Sequence, residues 1–181
     1  ELERDLELFK QIDFEQKLEQ TINQIKELKN KQKDLLEKTK ESEASTDSLS
    51  KTQQELITEY DAIRKSIKDL EQKNKDLEKK NMLPKTKELE EGIKQDMNES
   101  KEKLEKNQKN KSQKYQKTTI DKIEELESNL LSMQSQNNSQ QQLENIEDLR
   151  QILENLIRVS FDQEDLIISV NTTPKNSSEF V

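Results

Sequence analysis

The sequence predicts an all-α protein built from long amphipathic helices that associate through narrow apolar seams. Three observations support this prediction. Ala, Glu, Lys, Leu and Arg make up about 45% of the 181 residues, a share that is typical of long helices and coiled coils. The chain contains one Gly and two Pro, so few residues in it interrupt a helix. Apolar residues recur at spacings of three and four, which is the period of one helix face.

The arrangement that we predict is an elongated antiparallel helical hairpin or three-helix coiled coil, followed by a short C-terminal helix pair. Leu, Ile, Val and Phe make up about 24% of the chain, which is too little for the thick core of an ordinary globular domain. A coiled-coil seam needs only two apolar residues in seven, and this chain has enough for that.

Helix one is predicted over residues 1–40, and a break follows over residues 41–48. The break contains short hydroxyl and Asp side chains, which compete with the backbone for hydrogen bonds and favour caps and turns. Ser45, Thr46 or Ser48 is the expected N-cap of the next helix. The apolar positions of helix one are Leu2, Leu6, Phe9, Phe14, Leu18, Ile22, Ile25, Leu28, Leu35 and Leu36.

Helix two is predicted over residues 49–81, where the heptad pattern is clearest. A polar Asn at an a position fixes the register of a coiled coil at some cost in stability, so Asn74 and Asn81 are predicted to set the register. The pattern leaves parallel and antiparallel pairing open. The a and d positions are Leu56, Tyr60, Ile63, Ile67, Leu70, Asn74, Leu77 and Asn81.

A turn is predicted over residues 82–86, because Pro84 lacks a backbone donor and disfavours the helical conformation at Leu83. The alternative is a kink in one continuous rod. Helix three is predicted over residues 87–133, where seam positions follow an eleven-residue repeat. These positions are Leu89, Ile93, Met97, Ser100, Leu104, Gln108, Lys111, Tyr115 and Thr119, followed by Ile123, Leu126, Leu130 and Met133 at heptad spacing.

Three segments are predicted after helix three. Residues 134–142 are rich in Gln, Asn and Ser and predict a flexible linker. Residues 143–170 regain a broad apolar face and predict a pair of short helices. Residues 171–181 are polar and predict a disordered tail.

The two short helices are expected to meet at a tight corner. Ser160 fits an N-cap, with Gln163 at the third helical position to complete a capping box. This places Phe161 inside the corner. The alternative is a dedicated recognition motif at the same residues.

Several kinds of chemistry are excluded by composition. The chain contains no Cys and no His, so zinc sites, thiol nucleophiles, imidazole bases and disulfides are absent from it. A single Gly excludes glycine-rich phosphate loops. We therefore expect no enzymatic activity, no cofactor and no metal.

The charge pattern bears on the class of partner. Net charge is −8, which argues against nucleic acid. Lysines are dense between Lys101 and Lys117 but are spread around the helix, without Arg and with Tyr115 as the sole aromatic. We predict a solvated face there, and contact with the acidic tail or with another acidic partner is the alternative. No apolar run approaches the roughly 20 residues of a membrane span, so no direct membrane contact is expected.

The wide apolar face of residues 143–170 predicts a protein partner. Its acidic flanks differ from the basic flanks of membrane-surface helices, and they suit a helix that lies in a protein groove. A homo-oligomer is compatible with the seams. The predicted interaction residues are Leu149, Leu153, Leu156, Phe161, Gln163, Glu164 and Leu166.

Residues 149–166 read Leu-Arg-Gln-Ile-Leu-Glu-Asn-Leu-Ile-Arg-Val-Ser-Phe-Asp-Gln-Glu-Asp-Leu. This segment resembles a motif of a family of large, uncharacterised membrane-anchored envelope proteins of Bacteroidota, in which transmembrane helices precede a long helical, glutamine-rich region. Residues 14–18 and 28–39 are also similar to that family. The resemblance implies a cell-envelope setting on the periplasmic side, and it implies no activity and no functional residues.

The chain starts in mid-pattern with Glu-Leu-Glu, which predicts a piece of a longer protein. The expected function is that of a non-enzymatic structural or scaffolding coiled-coil segment of a larger cell-envelope protein. One alternative is a regulatory binding module whose 143–170 segment docks on a partner. A second is a self-associating cytoplasmic spacer or tether.

Overall fold

A computed structural model describes residues 2–41 and 43–172. Within these ranges the chain forms four α-helices and no strand: α1 (Leu2–Lys40), α2 (Thr46–Asp76), α3 (Lys87–Glu105) and α4 (Lys109–Thr172). The prediction of an all-α helical bundle is confirmed. The chain divides into two compact units, Glu1–Gln136 and Asn137–Val181.

The first unit is a four-helix bundle in which each helix runs antiparallel to both of its neighbours. Along every pair of neighbouring helices, residue numbers rise on one helix as they fall on the other. The ring is closed because α1 contacts both α2 and α4. Ion pairs that join neighbouring helices include Asp13–Lys73 and Lys31–Glu59 between α1 and α2, Asp61–Lys94 between α2 and α3, Asp96–Lys122 between α3 and α4, and Lys29–Glu127 and Lys33–Glu124 between α1 and α4.

The core of this unit lies between the four helices, and all four contribute side chains to it. Each helix places apolar residues at spacings of three and four on one face, and burial of these stripes drives the association. The largest fully buried side chains are Tyr60, Phe14, Leu18, Ile25, Leu28, Leu35, Leu70, Ile93, Met97, Leu104, Ile123 and Leu126.

The predicted single helix over residues 87–133 is wrong, because the chain reverses direction between α3 and α4. Asn107 adopts a left-handed backbone conformation with φ of 56°. The amide of Gln108 donates to the carbonyl of Lys103 and the amide of Asn107 donates to that of Leu104, at 2.8 and 2.9 Å. This is a Schellman C-cap, in which Asn replaces the usual Gly. The hairpin or three-helix prediction therefore becomes a four-helix bundle.

The break shifts the buried phase over the first two turns of α4, whereas Thr119, Ile123, Leu126, Leu130 and Met133 are buried as predicted. Lys111 and Tyr115 were predicted seam positions, but the buried residues are Ser112 and Gln116. An uninterrupted eleven-residue repeat cannot hold across a reversal, because the loop resets which face of the next helix meets the core.

Helix α2 ends five residues earlier than predicted. Leu77 is extended and buried, and it closes the end of the core in place of another helical turn. Asn81 lies in the loop and so occupies no helix seam position. The amide Nδ2 of Asn74 donates to the carbonyl of Asn81, and the amide of Asn81 donates to Oδ1 of Asn74, at 2.9 and 2.8 Å. The pair holds the loop against the end of α2.

The predicted linker and helix pair are also wrong, since α4 is helical throughout residues 134–142 and 143–170. The linker residues include no Gly or Pro, and Gln is a good helix former, so nothing there breaks a helix. Ser160 lies in mid-helix and caps nothing. The predicted tail starts inside α4, and its residues 173–181 lie outside the described ranges.

Candidate protein-interaction surface

The second unit presents a helix whose apolar side chains are uncovered. Leu149 is 65% exposed, Leu156 is 62% and Phe161 is 62%, whereas core leucines of the first unit are under 8%. We call this set the C-terminal apolar face. Its members are Leu143, Ile146, Leu149, Ile152, Leu153, Leu156, Ile157, Val159, Phe161, Leu166, Ile167, Ile168 and Val170.

The face has the width of a bundle helix. At about 100° per residue, a central row follows strict 3-4 spacing. A second row of Ile152, Val159 and Leu166 runs beside it. Three apolar positions in seven are typical of a core-facing helix in a bundle, and a two-stranded coiled coil needs only two. The central row is Ile146, Leu149, Leu153, Leu156, Ser160, Gln163, Ile167 and Val170.

Charged side chains occupy the opposite side of this helix, with two exceptions. Arg150 and Glu164 lie along the edge of the central row, at equivalent heptad positions. The Nε of Arg150 donates to Oε1 of Glu154 at 3.2 Å, one turn away. Arg158, on the outer side, donates to Asn155 at 2.8 Å. Residues 143–170 contain seven acids and two arginines, so the segment is acidic.

The structure places all seven predicted interaction residues on one exposed helix. Leu149, Leu153, Leu156 and Gln163 fall in the central row, and Leu166 falls in the row beside it. The corner that would have turned Phe161 inward does not exist, and this ring is exposed at the far edge of the face with Ile157 and Ile168.

Sequence reasoning gave residues 143–170 a broad apolar face but did not name its remaining members as interaction residues. The 3-4 period of Ile146, Ile167 and Val170 was present in the sequence, but the supposed break at Ser160 divided it into two short segments. Had the period been followed through Ser160 and Gln163, it would have given one continuous row.

A buried polar layer crosses the core of the first unit, with one residue from each helix. The amide groups of Gln32 and Gln53 bond reciprocally, with N···O distances of 3.2 and 2.9 Å. The hydroxyl of Ser100 lies 2.9 Å from Oε1 of Gln53 and 2.9 Å from the hydroxyl of Ser112. All four side chains are fully buried, so this layer has no access to a ligand and acts within the fold.

A second buried polar group links α2 to the start of α3. The Tyr60 hydroxyl donates to the backbone carbonyl of Glu90 at 3.0 Å, and burial raises the pKa of Tyr60 well above its ordinary value. The Glu90 carboxylate accepts from the Thr86 hydroxyl at 2.7 Å and lies 3.7 Å from Nε of Arg64. This cluster anchors the loop that precedes α3.

Within the described residues no three carboxylates gather as a metal site would require, and no helix is long and apolar enough to span a membrane. Comparison with models of protein families, with curated proteins and with solved structures finds no match. The uncovered face of residues 143–170 therefore stands as the candidate site on its own geometry.

Proposed function

We propose that this chain is a non-enzymatic scaffold in which a four-helix bundle carries a helix that binds protein through the C-terminal apolar face. One observation carries the proposal: thirteen large apolar side chains of one helix are each between 47% and 68% exposed. Exposed apolar patches of this extent mark interaction surfaces, because leaving them in water forgoes roughly 25 cal/mol for each square ångström.

The charge of the segment favours protein over lipid. Helices that lie on anionic membranes are rich in Lys and Arg on their polar side. Residues 143–170 contain seven acids, two arginines and no lysine. The apolar width matches a helix that completes a bundle, so a partner that contributes helices is the best fit.

The first unit supplies the rigid part of the scaffold. Its helices are joined by cross-helix ion pairs and by the buried polar layer, and both kinds of contact specify one pairing of helices over others. We further propose a cell-envelope setting, on the periplasmic side of a membrane-anchored parent. This placement rests on the resemblance of residues 149–166 alone.

Site-specific photo-crosslinking in the protein's own cells tests the proposal. A benzophenone amino acid replaces Leu156 on the face, and in a matched control it replaces the exposed Arg158 on the outer side of the same helix. We expect a discrete protein adduct from position 156 and none from position 158. Adducts of equal yield from both positions, or none from either, would refute a protein-binding face.

The same experiment separates scaffolding from regulation. A scaffold gives the adduct under all growth conditions, because its contact is permanent. A regulatory module, in which the 143–170 segment docks and is released, gives an adduct whose yield changes with conditions. Replacing Leu156 and Phe161 together by Asp is expected to abolish the contact while far-UV circular dichroism of the bundle persists.

A further inference from the structure

The central row of the C-terminal apolar face is complementary to a reversed copy of itself. Laid antiparallel with full overlap, Ile146 meets Val170 of a second copy, and Leu149 meets Ile167 of that copy. On one flank, Ile152 then lies opposite Leu166 of the second copy, and Val159 lies opposite Val159 of that copy. These contacts are apolar on both sides, and the same overlap places Leu153 opposite Gln163 and Leu156 opposite Ser160 of the second copy.

The same overlap also fixes the other flank. Arg150 and Glu164 occupy e positions, and e positions face each other when two helices pair antiparallel. With the central rows fully overlapped, Arg150 lies opposite Glu164 of the second copy, and Glu164 lies opposite Arg150 of that copy. The two charged residues that border the apolar row are thus the two that neutralise each other in this register.

We infer that the partner of this face is a second copy of the chain, bound antiparallel through residues 146–170 with reciprocal Arg150–Glu164 pairs. The inference rests on the proposed function, since it names the partner of the same face. Parallel pairing forms neither pair, because Arg150 then lies near Asn145 and Glu164 near Val159 of the second copy. Antiparallel helices also align their dipoles favourably.

The area available is that of a specific interface. Ten apolar side chains of each copy lie in or beside the overlapped rows, and covering each removes roughly 50 Å² of apolar surface. Two copies together bury about 1,000 Å² of apolar area, or about 1,600 Å² in all at the usual polar share. Stable interfaces bury about 1,200–2,000 Å².

Ser160 and Gln163 interrupt the apolar row near its centre and are compatible with burial. They are three residues apart on one helix, so their side chains are neighbours that are able to bond each other. Ser and Gln already share a buried layer in this chain, where Gln53 and Ser100 bond at 2.9 Å. Such a polar pair limits the registers that two helices adopt.

Charge reversal on the whole 1–181 chain tests the inference by sedimentation equilibrium. Arg150→Glu alone and Glu164→Arg alone each place like charges opposite one another twice, and each is expected to weaken self-association about tenfold or more. The double variant restores both pairs and is expected to associate as the natural chain does. An equimolar mixture of the two single variants is expected to form mixed dimers for the same reason.

Matched controls make the same charge changes on the outer side of the helix. Arg158→Glu and Asp165→Arg alter net charge equally but lie away from the overlapped rows, so each is expected to change the dissociation constant less than threefold. Far-UV circular dichroism of every variant checks that the helices persist.

Four results would overturn the inference. If the natural chain stays monomeric at about 100 μM while fully helical, self-association is refuted. If Arg150→Glu and Arg158→Glu weaken self-association equally, the antiparallel register is refuted. It is also refuted if the double variant does not regain the association of the natural chain. A crosslink from position 156 to a different protein, together with a monomeric chain, would leave the proposed function standing and reject the second copy as partner.

Discussion

Replacing Gln53 by Leu tests whether the buried polar layer acts as one coupled unit. The Gln53 amide donates to Gln32 and accepts from both Gln32 and Ser100, and all three side chains are fully buried. Leu is similar to Gln in size, so the change removes hydrogen bonds with little change in packing volume.

The expected loss follows from the groups left without partners. The amide N–H and carbonyl of Gln32 both lose the bonds that they make to Gln53, and a buried polar group left unsatisfied costs about 1–3 kcal/mol. Ser100 keeps its bond to Ser112. The added apolar side chain offsets about 1.5–2 kcal/mol of this cost. Two such groups cost about 2–6 kcal/mol together, so after the offset we expect the free energy of unfolding to fall by about 2 kcal/mol, the middle of the resulting range.

Urea unfolding followed by circular dichroism at 222 nm measures this loss. With a slope of about 2 kcal/mol per molar urea, the midpoint is expected to fall by roughly 1 M. The matched control is Gln54→Leu, at the adjacent exposed position, which is expected to change stability by under about 0.5 kcal/mol. If Gln53→Leu is as stable as the natural chain or as the Gln54 variant, the reasoning fails.

The coupling within the layer is measured by adding Gln32→Leu. Removing both amides leaves neither one unsatisfied, so the double variant is expected to lose less than the sum of the single losses, by about 1–3 kcal/mol. Additive losses would mean that the two amides contribute separately.

Two further predictions concern Tyr60 and Asn107. Burial raises the pKa of Tyr60, so the unfolded chain releases the phenol proton first and this residue's contribution to stability is lost as pH rises above about 10. Tyr60→Phe is therefore expected to cost about 1 kcal/mol at pH 8, through the lost bond to Glu90, and less at pH 11; a difference that stays constant between these pH values in urea unfolding would contradict this. Asn107→Ala is expected to be about 1 kcal/mol less stable than Asn107→Gly, because both lose the bond from Thr46 and only Gly adopts a φ of 56° without strain; equal midpoints would refute the C-cap assignment.

The helical period predicted a large part of the fold, and it identified several residues of the candidate face. Spacings of three and four identified most of the buried apolar positions of the first unit, and the short polar side chains before Thr46 marked the break after α1. The reversal at Asn107 was missed, because one residue in a left-handed conformation does not change the spacing of apolar residues. Asn also indicates the end of a helix less strongly than Gly does.

Errors in the opposite direction came from composition. Residues 134–142 were interpreted as a linker on their Gln, Asn and Ser content, and Ser160 was interpreted as a cap on its spacing to Gln163. Both are helical. Polar side chains lower helix propensity by only tenths of a kcal/mol each, so without Gly or Pro they do not end a helix. The residues of the apolar face were visible in the sequence, but their exposure was not.

The sequence by itself determined that the chain is helical, which side of each helix is apolar, and that Cys and His chemistry is absent. These properties depend on residue type and on spacings of a few residues, so they can be read locally. The tertiary structure decided how many helices pack, that α1 contacts α4, and that Gln32, Gln53, Ser100 and Ser112 meet in one layer. Those outcomes depend on the axial position of each helix relative to its neighbours. Helix caps and side-chain packing set this position together, so no local sequence pattern predicts it.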